Sequence, residues 1–177
     1  MLSNNSDILS LFNSIFSIAI SKGIIPIVPA NSTGNESTLA GISILNTCIT
    51  IGGLTSSGTS PKLYKYSPYN SLKKLTKPDI LALCDNIVSL NSDLNYISEK
   101  NGFKLYPHKL QVSYKTFSGL SIACAYVCGI CALLCEREPN LNFNDMLSLL
   151  KVSCSYSDDI EKRFQGFGLI DIKKLIH

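Results

Sequence analysis

The turn Phe117-Ser118-Gly119-Leu120-Ser121 runs straight into a long apolar stretch, Ser121 to Leu134, closed by Glu136, Arg137, Glu138 and Pro139. The stretch is too long for one strand, so it reads as a buried helix with Ser121 at its N-terminal end. A hydroxyl at that end sits where the helix dipole favours developing negative charge. The unsatisfied N–H groups of a first turn can also donate to an oxyanion. Ser121 is therefore a candidate nucleophile, and the same position also suits an N-capping serine. Asn31 is the second candidate. It follows the apolar, β-branched run Ile24 to Val28 at its carboxyl end, where open α/β sheets gather their reactive groups. Its amide can donate to an oxyanion, or it can close an Asx-turn in the loop Asn31 to Ser37.

The elements that would carry these residues follow from periodicity. Ile8, Leu11, Phe12, Ile15 and Ala19 recur at helical spacing from Ser6 onward, predicting a helix with one buried face that ends at Gly23. Ile24 to Val28 reads as a buried strand despite Pro26, and Cys48 to Gly53 as a second short strand. This alternation of helix and strand predicts a parallel sheet. Residues 54–76 show no clear period and read as surface loop with at most an edge strand. Ile80 to Leu83 and Asn86 to Ser89 read as extended, Leu90 to Leu110 as a polar surface excursion, and the core resumes near Val112. Asn142, with Asp145 three residues on, predicts a capped helix reaching about Lys151. Residues Gly166 to Asp171 read as a turn into a final docking segment.

At 177 residues, 45% hydrophobic and 16% charged, the chain suits one folded domain with a packed core. A net charge of +3, spread rather than clustered, gives no footprint for nucleic acid. The run Ile8 to Ile20 is broken by Ser10, Asn13, Ser14 and Ser17 and is too short to span a bilayer, so no membrane segment is expected there. No basic region precedes it and no cleavage pattern follows it, so a signal peptide is not expected either. Cys124, Cys128, Cys131 and Cys135 fall on one helical stripe. One helix cannot wrap four thiolates around a zinc ion, so they read as small apolar core residues. Seven cysteines, an odd number without an evident pairing, point to a reducing compartment and a cytoplasmic location.

Several segments, in order, resemble the C-terminal part of subtilisin-like serine proteases, the subtilase family. Gly23 to Ser32 resembles the strand that ends in Ala-Ala-Gly-Asn-Ser, and the Asn of that motif falls on Asn31. Ile49-Thr50-Ile51-Gly52-Gly53 resembles Val-Ile-Thr-Val-Gly-Ala, and Lys77 to Ala82 resembles Lys-Pro-Asp-Val-Val-Ala. Ser118-Gly119-Leu120-Ser121-Ile122-Ala123 resembles Ser-Gly-Thr-Ser-Met-Ala, and Gly166 to Asp171 resembles the closing Gly-Tyr-Gly-Val-Val-Asp turn. The segment between Ser89 and Ser113 is most similar to the intracellular bacterial type.

The resemblance implies a three-layer α/β fold with a mostly parallel sheet, present here as its C-terminal part only, with residues 1–177 forming a partial catalytic domain. It implies a serine endopeptidase acting on peptide or protein substrates, with Ser121 as nucleophile and Asn31 as side-chain oxyanion donor. The family's His and Asp lie upstream of the Asn motif, and this chain has no match for them. His108 falls in the polar excursion, His177 is the final residue, and Asp7 lies in a predicted helix. Those two partners are therefore expected on a portion outside this chain, a complementing N-terminal segment. The competing expectation is an inactive pseudoprotease or fragment that binds peptide or protein. Leu120 in place of Thr, Ala125 in place of Pro, Ala30 in place of Gly and Leu83-Cys84 in place of Pro-Gly favour it. No cofactor is expected: many relatives bind calcium, but no Asp-rich calcium loop is readable here.

Overall fold

The computed structural model describes residues 6–31, 38–55, 60–69, 76–91, 99–100, 103–104 and 114–175. Helix α1 (Ser6–Ser21) leads through Gly23, at φ 79°, to strand β1 (Ile27–Pro29). Strands β2 (Ile49–Thr55), β3 (Lys62–Leu63) and β4 (Ile80–Leu83) follow. β2 is the centre of the sheet. It pairs in parallel with β1, Val28 opposite Thr50, and in parallel with β4, Gly53 opposite Ala82. At its end it pairs antiparallel with β3. The fold is thus α/β with a mostly parallel sheet, as expected.

Helix α2 (Leu120–Arg137) lies across β1, β2 and β4, and helix α3 (Phe143–Ser153) follows it. Ile49, Ile51, Ile80, Ala123, Val127, Met146 and Leu150 are fully buried between these elements. The predicted capping box of α3 is present: the Asn142 side chain accepts from the N–H groups of Asn144 and Asp145, and the Asn142 N–H donates to Asp145. A short helix α4 (Lys162–Gln165) then leads into the Gly166–Gly168 turn. Leu169 lies parallel to Leu81, extending the sheet beyond β4.

Four expectations change. Ile24 is 58% exposed and the strand starts only at Ile27, because Pro26 lacks the N–H a ladder needs. No residue of α1 is fully buried: Ile8, Phe12 and Ala19 are half-buried and Ile20 packs on the core, but Leu11 and Ile18 are 59% and 62% exposed, so its apolar face is covered only in part. α2 is buried on one side only, through Ala123, Val127, Ile130, Cys131 and Leu134. It is long and apolar enough by composition to cross a membrane, but that side packs on the sheet. Residues 60–69 are more than surface loop: Tyr64, Ser67 and Pro68 are buried, and the Ser67 hydroxyl accepts from Gly53 N–H at 3.0 Å.

The excursion after β4 opens and closes as a ribbon. β5 (Ile87–Leu90) pairs antiparallel with β8 (Tyr114–Phe117), Ile87 opposite Phe117, and β6 (Glu99–Lys100) pairs with β7 (Phe103–Lys104) between them. Val112, His108, His177 and most of the loop from Asn31 to Ser37 lie outside the described residues.

Candidate active site

Ser121 is the second residue of α2 and is exposed. It is not the cap: Gly119 holds that position with φ 142°, a conformation that favours glycine. The turn before it is tied down on both sides. The Gly119 N–H donates to the Cys84 carbonyl at 2.8 Å, and the Ile122 N–H returns to the Gly119 carbonyl at 2.9 Å. The Ser118 hydroxyl donates to Asp85 Oδ1 at 2.5 Å and accepts from the Asn86 N–H at 3.1 Å. Asp85 Oδ2 in turn accepts from the Thr55 hydroxyl at 3.0 Å. Asn86, at φ 57°, takes the left-handed conformation that Asn tolerates, which turns its N–H toward Ser118.

Asn31 is exposed and stands two residues past the end of β1. Its main chain is fixed by the 3-10 turn Gly41–Ile44: the Ala40 N–H donates to the Asn31 carbonyl at 2.8 Å and the Asn31 N–H donates to the buried Ser43 hydroxyl at 3.3 Å. β1, β2 and β4 are parallel, so Asn31 and the Cys84 anchor of the Ser121 turn lie at the same, carboxyl edge of the sheet. They are separated by two strand spacings, about 10 Å. Asp7 sits in the first turn of α1.

Two features of the sheet that carries the site were not read from the sequence. A side-chain carbon at Gly53 would stand 2.6 Å from Cys84 Sγ and 2.7 Å from Leu120 Cδ2, so glycine there lets the first turn of α2 sit on β2. Lys77 and Asp79, both buried, form an ion pair at 2.5 Å; Lys77 Nζ also donates to the Cys48 carbonyl at 2.7 Å, and the Thr50 N–H donates to Asp79 at 2.7 Å. A lysine beside an aspartate at the head of an apolar strand is the signal that could have flagged this pair. Lys77-Pro78 is a cis peptide bond.

The departures around the site now have structural contexts. Leu120 packs on the core, Ala30 is buried, and α2 runs unbroken through Ala125. Cys84 is buried against Gly53, and desolvation, with Asp85 adding to it, pushes its thiol up to about 12. All seven cysteines are free thiols. The stripe on α2 is not uniformly core: Cys131 is buried and Cys128 is exposed, because the stripe crosses from the sheet side to the open side.

Residues 3–168 match the subtilase family. The chain belongs to that family. It is 29% identical over 164 residues to serine protease AprX of Bacillus subtilis (strain 168), covering 89% of this chain and 36% of that protein. Solved structures share the fold: fervidolysin of Fervidobacterium pennivorans, described as a keratinolytic enzyme related to subtilisin, with a TM-score of 0.70 at 18% identity, and sphericase, with 0.66 at 19%. Each covers 92% of this chain, while the chain spans 24% and 53% of their lengths. The subtilase chain described here thus corresponds to about a third of AprX and about half of sphericase.

Proposed function

We propose that this subtilase chain carries the nucleophile of a serine endopeptidase, with Ser121 attacking a peptide carbonyl and Asn31 donating to the resulting oxyanion. The observation that carries the reading is the position of Ser121: exposed in the first turn of α2, with the capping role taken by Gly119. The dipole and N–H groups of that turn favour negative charge there. Asn31 and the Cys84 anchor of the Ser121 turn stand at the same edge of the sheet, two strand spacings or about 10 Å apart, which supports both side chains reaching one carbonyl between them. Serine still needs a base. In the triad mechanism a His takes its proton and later delivers it to the leaving amine, while an Asp holds that His in position.

We infer that the His and Asp come from a portion outside this chain and that this portion covers the open face of α2. Ser121, Ala125, Cys128 and Ala132 recur at i, i+4, i+7 and i+11 and are all exposed. The nucleophile thus shares one helix face with a stripe of small residues that allows another element to approach closely. β1 pairs with β2 alone among the described residues, leaving an edge able to accept a further strand. The test is casein hydrolysis by the native polypeptide. Ser121→Ala should abolish it, and Asn31→Ala should reduce it about 100- to 1000-fold. Peptide binding that survives Ser121→Ala, with no hydrolysis by the native protein, would favour a noncatalytic binding module instead.

A further inference from the structure

We propose that Asp85 is a positioning residue for Ser121, acting through Ser118. The inference rests on Ser121 being the nucleophile. Asp85 lies 36 positions before Ser121 in the sequence, and the ribbon brings the two regions together. The β5–β8 register sets Ile87 opposite Phe117, so Asp85 and Asn86 meet Gly119 and Ser118 where the ribbon leaves β4. One carboxylate then joins three segments. Oδ2 accepts from Thr55 at the end of β2, Oδ1 accepts from Ser118 in the turn, and its own main chain continues β4.

Hydroxyl-to-carboxylate bonds as short as the 2.5 Å between Ser118 and Asp85 are among the stronger protein hydrogen bonds. The bond fixes the residue that precedes Gly119, where glycine otherwise leaves the main chain most freedom. Without it, the turn keeps on this side, among the described residues, the Asn86 N–H, the Gly119–Cys84 bond and the β5–β8 pairing that ends at Phe117. A shift of 1 Å in an attacking group is enough to lower a rate about 100-fold. The carboxylate also stands near the N-terminal end of α2, so a purely electrostatic role is the competing explanation. An uncharged residue that keeps the acceptor oxygen separates the two.

The experiment compares native protein with Asp85→Ala, Asp85→Asn and Ser118→Ala. It measures the maximal rate and half-saturating concentration of labelling by a fluorophosphonate, and deuterium exchange over residues 117–121. Asp85→Ala and Ser118→Ala are expected to speed exchange in that segment and lower the maximal rate about tenfold to a hundredfold. The half-saturating concentration should be unchanged, and the double variant should be no slower than either single one. Asp85→Asn should restore most of the rate. Unchanged exchange in Asp85→Ala, unchanged labelling, or an Asp85→Asn variant as slow as Asp85→Ala would each overturn the proposal. If the native protein is not labelled at all, Ser121 as nucleophile fails, and the exchange comparison then decides whether Asp85 holds the turn.

Discussion

The junction between β2 and β4 and the outer face of α2 are both rich in apolar residues, yet they are finished differently. At the junction every group is closed: Ile51 and Ile80 are fully buried, the Lys77–Asp79 pair satisfies Thr50 and Cys48, and the Gly166–Gly168 turn bonds to Asp79 and Leu81. On the outer face of α2, Tyr126 and Leu133 are 39% and 59% exposed on a helix whose other side is core. The open side of α1 repeats this with Leu11, Ile15 and Ile18. The contrast separates what holds this part of the fold together from what it presents to something else, and Ser121 lies on the presenting side.

The largest expected effect breaks the closed side. Lys77→Ala leaves Asp79 buried without its cation and should lower stability by about 3–5 kcal/mol, read from the urea midpoint. A loss below about 1 kcal/mol would mean that water reaches the pair. Next comes a paired test across the comparison. Met146→Ala, in the core, should cost about 2–5 kcal/mol, whereas Leu133→Ala, on the open face, should change the stability of this chain by no more than about 0.5 kcal/mol. Equal losses would show that both faces are buried in solution.

Smaller again is the cap of α3: Asn142→Ala should cost about 1 kcal/mol, with Asn142→Asp keeping most of it. The last effect is one of pH. Desolvation holds the thiols of Cys84, Cys124 and Cys131 up at about 12, against an ordinary 9.0. The folded state therefore keeps protons that the unfolded chain releases, so their contribution is intact below pH 9 and is lost as pH rises from about 9 toward 12. Thermal melts across that range should fall, and at pH 8 iodoacetamide should modify the exposed Cys128 well before the buried Cys131.

The frame of the site was legible in the sequence because its signals are local. Periodicity and a glycine stop mark α1, short apolar runs mark β2 and β4, and Asn142 with Asp145 marks the start of α3. The position of Ser121 at a helix start was legible for the same reason. Which faces are covered was not legible. Apolar periodicity reports the face a residue type prefers, but α1 meets the Gly41–Ile44 turn and the core with part of that face while Leu11, Ile15 and Ile18 stay exposed, and the outer side of α2 is exposed among the described residues. The Asp85–Ser118 bond was hidden too, because it joins residues 33 apart through a ribbon whose register cannot be read from composition. The buried role of Lys77 depends on Thr50 and Cys48, from another strand and the turn before it.

The central claim is that Ser121 becomes a nucleophile when the open face of α2 is covered by a portion bearing His and Asp. The direct measurement is fluorophosphonate labelling of the native protein captured from its source, followed by peptide mapping and the intact mass of the labelled polypeptide. A single tag on Ser121, in a polypeptide or complex that supplies an Asp and a His beyond this chain, is the predicted result. An untagged Ser121 in a protein that does carry those two residues would contradict it.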